Sequence, residues 1–163
     1  MASSLIDKKV KIKVEDGIEF VKNCGTGIYD IVIIDSDDPV GPGEGLFTET
    51  FYNEIYRILQ NYGIMITQSE SPRYNIHIFK EVFQCYNKIF GRENVHCYLM
   101  YLPSYPSGMW SFSFSSKGGI DPFQNLTNEK INDFCKRSNL KYYSFDMHNS
   151  SFVLPKFVRD ILL

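Results

Sequence analysis

Short apolar runs alternate with amphipathic stretches along most of the chain, and this order constrains the fold more than any other feature. Residues 29–34 form a continuous β-branched run that ends at Asp35, which is typical of a strand covered on both faces of a parallel sheet. Residues 48–60 place apolar side chains at helical spacing, residues 63–68 have the pattern of the next strand, and residues 79–90 that of a second amphipathic helix. The alternation predicts an α/β fold with a largely parallel sheet.

The remaining segments complete the predicted order. Residues 9–14 alternate polar and apolar side chains, which indicates a half-buried strand before a short helix. Two later strands, 95–102 and 109–115, flank a Pro-Ser-Tyr-Pro-Ser-Gly turn, and a connection this short predicts an antiparallel hairpin. Helices are expected at about 128–136 and from Pro155 to the last residue.

Composition excludes several classes of function. The chain has 163 residues, 44% of them hydrophobic, which suits one globular domain with a real core. Its 17 basic and 19 acidic residues give 17 minus 19, a formal charge of -2, so nucleic acid is not an expected partner. No apolar run is long enough to span a membrane and no signal peptide is seen, which predicts a cytoplasmic protein. The four scattered cysteines lack metal-ligand spacing and receive no role.

Polar residues follow three of the predicted strands at the edge where α/β sheets bind ligands. They are Asp16 and Gly17 after the first strand, Asp35, Ser36, Asp37 and Asp38 after the second, and Gln68 and Glu70 after the third. Three aspartates within four positions repel one another unless solvent or a cation compensates them, which favours a positively charged ligand.

Two other interpretations of the acidic loop stay open on the residues alone. Asp35 and Asp38 can simply terminate a strand and cap the next helix, as Asp commonly does. A metal site is disfavoured because no His lies nearby and the loop lacks the EF-hand spacing.

The acidic loop is part of a longer recognisable pattern. Residues 29–42 resemble the signature of the polyamine aminopropyltransferases, the spermidine synthase family, which ends in D-S-x-D/E-P-x-G-P. Gln68 stands where that family carries a Gln after the next strand. Four further stretches resemble family elements in the same order: the D-G element at 14–20, the L-F-x-x-x-F-Y helix start at 46–52, the P-T-Y-P-S-G-x-W turn at 103–110 and the closing H-x-A-A-F-x-L-P-x-F at 148–157.

The resemblance implies an enzyme that transfers an aminopropyl group from decarboxylated S-adenosylmethionine to putrescine, giving spermidine and methylthioadenosine in polyamine biosynthesis. Decarboxylated S-adenosylmethionine is then a co-substrate, and neither a permanently bound cofactor nor a metal is expected. The attacking amine must be neutral, although it is mostly protonated at neutral pH. The resemblance implies that Asp35 holds this amine and takes its proton, while Tyr105 and Gln68 fix the nitrogen by hydrogen bonds.

The resemblance also implies the binding residues. The substrate contacts would be Asp35, Ser36, Asp37, Asp38, Gln68, Glu70 and Tyr105, with Glu70 inferred to favour the distal ammonium. The adenosine contacts would be Asp16, Gly17 and Pro42. Taken singly, Tyr105 can equally be a turn aromatic, Gln68 a strand end and Asp16 a helix cap. The motif at His148 is interpreted as structural packing, and departures at Asp37 and Arg73 leave the acceptor amine open.

Compared with members of the family, the chain has no counterpart of their N-terminal part. Members look twice as long, so residues 1–163 correspond to a truncated catalytic domain without the N-terminal β domain and the first two nucleotide-binding strands. The implied fold is Rossmann-like, similar to the class I S-adenosylmethionine methyltransferases. Loss of the missing strands predicts that 9–14 has no neighbours and that 29–34 is an exposed, aggregation-prone edge with weakened donor binding.

Two partner hypotheses follow from the missing part. The first is a homo-oligomer or a complementing N-terminal half that completes the enzyme. The alternative is that the chain is a catalytically inactive fragment or an interaction module. An ordinary methyltransferase is disfavoured because Asp35 and Tyr105 match the amine-acceptor elements.

Overall fold

A computed structural model of the chain describes residues 5–36 and 45–163. The predicted site residues Asp37, Asp38 and Pro42 lie outside these ranges. Helices and strands within the described ranges follow the order α1 Gly17–Asn23, β1 Tyr29–Ile34, α2 Glu49–Ile58, β2 Leu59–Gln68, α3 Ile76–Phe90, β3 Val95–Tyr101, β4 Met109–Ser116, α4 Asn128–Arg137, α5 Phe145–Ser151 and α6 Lys156–Leu162.

The four strands form one mixed sheet in the order β1-β2-β4-β3. β1 pairs parallel with β2, whereas β4 pairs antiparallel with both β2 and β3. The α/β class and the antiparallel hairpin are therefore confirmed. The expectation of a largely parallel sheet is wrong for the described residues, because the hairpin inserts β4 between β2 and β3.

Several element boundaries differ from the predicted ones. Thr48 caps α2 as predicted, its Oγ1 accepting from the N–H of Phe51 at 3.2 Å. The helix ends at Ile58, however, and β2 begins at the next residue, so Gly63 lies within the strand.

Helix α5 was not predicted, because its polar sequence has no apolar period. It is stabilised by an N-cap, in which Oγ of Ser144 accepts from the N–H of Met147 at 3.1 Å.

The core lies between one face of the sheet and helices α2 and α3. Aromatic side chains of α3 pack there with Tyr52 and Met65, which are 1% and 0% exposed. On this face β4 contributes Ser111, Ser113 and Ser115, all buried, alternating with aromatic residues that point to the opposite face. These serines are small, which leaves room for the α3 aromatic side chains on this face of the sheet.

A hydroxyl pair crosses this core. The hydroxyl of Tyr86 donates to that of Tyr52 at 3.2 Å, and the two rings meet edge to face with centroids 4.9 Å apart. Burial raises the pKa of Tyr52 to about 12 and the pKa of Tyr86 well above its ordinary value. Both phenols are therefore neutral and serve as structural polar groups.

The predicted strand at 9–14 is wrong. Residues 10–14 have no sheet pairing, and Val10, Ile12 and Val14 are 43%, 64% and 98% exposed. An alternating segment needs a neighbouring strand to bury its apolar side, and the described residues supply none, in line with the expectation from the missing strands.

Strand β1 forms where predicted, but it is not covered on both faces. It is an edge strand, and Ile31 and Ile33 on one face are 57% and 72% exposed. The prediction of an exposed β-branched edge is confirmed, and such an edge is a template for association.

We expect the double substitution Ile31→Lys/Ile33→Lys to reduce aggregation of the isolated chain and to change its free energy of unfolding by less than ~0.5 kcal/mol, because both side chains are exposed. Light scattering and urea denaturation measure the two quantities. As a matched control, Ile55→Thr at a 1% exposed core position should destabilise by about 2–3 kcal/mol. Unchanged aggregation of the lysine variant would contradict the edge assignment.

Candidate active site

The Gln68 side chain joins three strands at the carboxyl end of β2. It is 5% exposed, and its Nε2 donates to the carbonyl oxygen of Ser36 at 3.2 Å. Its Oε1 accepts from the indole Nε1 of Trp110 at 3.1 Å and from the N–H of Glu70 at 3.1 Å. These three bonds fix the orientation of the amide, since the oxygen faces two donors and the nitrogen faces an acceptor.

Trp110 in turn contacts Tyr105. The two rings pack edge to face with centroids 4.6 Å apart at an interplanar angle of 61°. Tyr105 is 43% exposed and sits in the β3–β4 turn, which is closed by backbone bonds from Tyr105 to Leu102 at 3.0 Å and from Gly108 to Tyr105 at 2.8 Å. The structure thus brings the turn against the end of β2.

Asp35 lies directly after β1 and is exposed, with the half-buried Ser36 next to it. Because Ser36 accepts the Gln68 bond, Asp35 is tied by one peptide to the chain of contacts that runs through Gln68 and Trp110 to Tyr105. The three residues predicted to act on the amine therefore belong to one connected region, at the ends of β1 and β2 and the β3–β4 turn. Their roles toward a substrate stay a prediction.

Glu70 is completely buried beside this region. Its backbone has φ 71°, in the left-handed range, and its carbonyl oxygen lies 2.6 Å from the Ser111 hydroxyl and 3.2 Å from the Ser111 N–H. Its Oε2 accepts from Nδ2 of Asn75 at 2.6 Å. The Asn75 bond fixes the position of this carboxyl group at the end of β2.

The sequence patterns assign no separate role to two residues of this region, Asn75 and Trp110. Asn75 occupies the N-cap position of α3, but its side chain makes no cap bond because it binds Glu70 instead. The sequence pattern identifies Trp110 only as the last residue of the turn motif at 103–110. The signal that could have identified it is that the chain contains one tryptophan, placed on a strand directly after the turn.

Asp16 has the capping role that the sequence left as one of two interpretations. Its Oδ1 accepts from the N–H groups of Ile18 at 2.8 Å and Glu19 at 3.1 Å, so it is the N-cap of α1. Gly17 is exposed, and a Cβ placed there would meet nothing within 4 Å. That open space leaves access to the backbone, and the adenosine role of both residues stays a prediction.

His148 serves packing, as interpreted from its motif. One ring nitrogen lies 3.0 Å from the hydroxyl of Tyr143 and the other 3.0 Å from the carbonyl oxygen of Pro122. The ring also packs against Phe123 and Phe152.

Two further features concern only residues 5–36 and 45–163. No group of three or more His, Cys, Asp or Glu side chains there is arranged to hold a metal ion. None of the helices in that part of the chain is long and apolar enough to cross a bilayer.

Comparison with known proteins identifies relatives of about twice this length. The polyamine aminopropyltransferase of Clostridioides difficile strain 630 is 42% identical over 161 residues, which is 97% of this chain and 55% of that protein. The polyamine aminopropyltransferase of Clostridium acetobutylicum is 41% identical over 157 residues, which is 96% of this chain and 54% of that protein. The chain thus spans about half the length of the curated relatives it matches.

Solved structures show the same relation. A spermidine synthase in complex with the transition state analogue AdoDATO superimposes with a TM-score of 0.89 at 39% identity, over 99% of this chain and 53% of that one. The spermidine synthase of Thermotoga maritima superimposes with a TM-score of 0.86 at 38% identity, over 99% of this chain and 52% of that one.

A more distant structure bears on the fold alone. Human methyltransferase-like protein 13 in complex with SAH matches with a TM-score of 0.52 at 17% identity, over 88% of this chain and 64% of that one. The predicted Rossmann-like, class I methyltransferase-like fold is confirmed.

A family model also covers most of the sequence. The model for the spermine/spermidine synthase domain matches residues 1–127. Since this is well over half of the 163 residues and the matched relatives agree with it, the chain belongs to the spermine/spermidine synthase family.

Proposed function

We propose that the chain forms the amine-acceptor side of an aminopropyltransferase site that uses putrescine and decarboxylated S-adenosylmethionine. The observation that carries the proposal is the contact chain from Ser36 through Gln68 and Trp110 to Tyr105. It connects the carboxyl ends of β1 and β2 to the β3–β4 turn, at the edge where ligands bind in α/β sheets.

The proposed reaction is a displacement at carbon. The lone pair of a putrescine nitrogen attacks the propyl carbon attached to the sulfonium, and the carbon–sulfur bond breaks with its electron pair passing to sulfur. Methylthioadenosine leaves as a neutral thioether, and the new carbon–nitrogen bond gives spermidine. The nitrogen loses one proton, which the Asp35 carboxylate accepts as general base.

The protein's task in such a reaction is to present a neutral, oriented nitrogen. Asp35 is exposed at the strand end, where it can hold the ammonium form before accepting a proton. Gln68 fixes the backbone at Ser36 and so restricts where the Asp35 side chain begins. Tyr105 packs edge to face against Trp110, which restricts the positions that its ring can take.

The remaining assignments are part of the same proposal. The buried Glu70 carboxylate, held by Asn75, favours the distal ammonium of the diamine through its negative charge. Ser36, Asp37 and Asp38 would contact the substrate. The adenosine would contact Asp16, Gly17 and Pro42.

Activity in this proposal requires a second structural part. Residues 1–163 are taken as a truncated catalytic domain, since relatives carry about as much chain again. That part would dock on the exposed Ile31 and Ile33 of β1 and on residues 10–14, which pair with no strand in the described ranges. It could belong to the same polypeptide, to a separate one or to a homo-oligomer. The cytoplasm is the proposed location. An inactive interaction module is not favoured by the family relation.

We expect Asp35→Asn, in the chain reconstituted with an N-terminal half from a relative, to lower turnover by about 10²- to 10⁴-fold, because the general base is lost. Release of methylthioadenosine measures the rate, and binding of methylthioadenosine should change little. Asp30→Asn is the matched control, since Asp30 is an exposed aspartate on the same strand. Equal rates for Asp35→Asn and Asp30→Asn would remove Asp35 from the mechanism.

A binding experiment on the isolated chain tests the acceptor site without turnover. Trp110 is the single tryptophan and contacts both Gln68 and Tyr105, so its fluorescence reports on this region. We expect a saturable fluorescence change with putrescine and none with butane-1,4-diol, which has the same length but no charge. Glu70→Gln should weaken the putrescine response by roughly tenfold, since a hydrogen bond to a charged group contributes about 1.5–3 kcal/mol. Equal responses to the diamine and the diol would contradict a site built on carboxylates.

A further inference from the structure

A cavity lies at the end of the sheet away from the acceptor region. Its volume is about 700 Å³, and it is bounded by the start of β3, the helices α3 and α6, and the segment around Phe123. β3 runs from this cavity to the turn that carries Tyr105, and its seven residues span roughly 20 Å. The cavity is therefore separate from the proposed acceptor region.

The cavity wall is mainly apolar. β3 is an edge strand, and the cavity wraps around its first residues, because Val95 and Cys97 point to one face of the sheet and His96 to the other. Further apolar side chains complete the wall: Phe83, Phe123, Phe152, Leu154 and Leu162. The volume lies within the roughly 300–1,000 Å³ range of small-molecule sites.

Four charged side chains line the cavity, all of them exposed, of which three are cationic and one, Asp160, is anionic. Lys156 and Asp160 neutralise each other through an ion pair of 2.6 Å. Arg92 and Arg159 also line the cavity, and neither makes an ion pair with any residue in the described ranges. Two guanidinium groups beside an apolar wall suit a ligand that carries a negative group on an apolar body.

His96 adds a polar group without adding charge. It is half-buried, and burial lowers its pKa, although Asp121 acts in the opposite direction. The ring is therefore neutral near pH 7, and it packs edge to face against Phe114 at 6.1 Å. A neutral imidazole can hydrogen-bond an anionic group that the arginines attract.

We propose that this cavity binds an amphipathic anion, a small molecule with a carboxylate, sulfate or phosphate on an apolar body. The apolar part would lie against the Phe123 and Phe152 side of the wall, and the anionic group would meet Arg92 and Arg159. The site is independent of the acceptor site and does not depend on the proposed transfer reaction.

The test uses the anionic fluorophore 8-anilinonaphthalene-1-sulfonate with the whole chain. We expect one saturable site whose affinity falls at least about tenfold in Arg92→Glu/Arg159→Glu, since the substitution replaces two attractive charges by two repulsive ones. The control Lys8→Glu/Lys11→Glu makes the same change in net charge in the exposed segment before α1 and should leave the affinity within about twofold.

Competition identifies the chemistry of the ligand. Octanoate should displace the fluorophore, whereas octylamine and inorganic sulfate at the same concentration should not. If circular dichroism shows that the glutamate variant is misfolded, Arg92→Gln/Arg159→Gln replaces it, with an expected loss of at least about threefold.

Three results would overturn the proposal. The first is unchanged affinity in the arginine variants, which would place the fluorophore on the exposed isoleucines of β1 instead. The second is equal displacement by octanoate and octylamine. The third is self-association that is lost in Arg92→Glu/Arg159→Glu, which would make this face an interface between copies of the chain.

Discussion

The Gln68 amide is the interaction on which the proposed acceptor region depends. One side chain bonds to the end of β1, to the residue after β2 and to β4. Because it is nearly excluded from water, each of these bonds would be costly to lose, and the three ends are held at fixed separations. The Tyr105 turn and the Asp35 strand end take their relative positions from this amide.

A second constraint acts on β1, the strand at the edge of the sheet. β1 pairs with β2 alone, and its isoleucines face outward on one side. The strand that precedes Asp35 is thus supported by a neighbouring strand on one edge only. Relatives carry about as much chain again as is present here, and we propose that this additional part covers the edge.

Local signals in the sequence predicted most of the framework. The β-branched run at 29–34, the Thr48 cap and the turn at 103–108 specify structure through their nearest neighbours, and each appeared where expected. Residues 9–14 were mispredicted because an alternating pattern becomes a strand only beside another strand. Helix α5 was missed because a cap and tertiary packing stabilise it rather than an apolar period.

The site was only partly predictable for a related reason. Asp35, Gln68 and Tyr105 are visible because they follow strands or stand in a distinctive turn. The bonds of Asn75 to Glu70 and of Trp110 to Gln68 join residues 5 and 42 positions apart, and no local pattern announces such pairings. The tertiary fold had to place them before their roles could be recognised.

The left-handed backbone at Glu70 has a consequence for how this region can change. Glycine would adopt φ 71° without steric conflict, whereas a side chain there costs of order 1–3 kcal/mol. Stability alone would therefore select glycine at position 70. The chain instead retains a buried carboxyl group bonded to Asn75, so this position accepts a backbone cost together with a polar contact inside the protein.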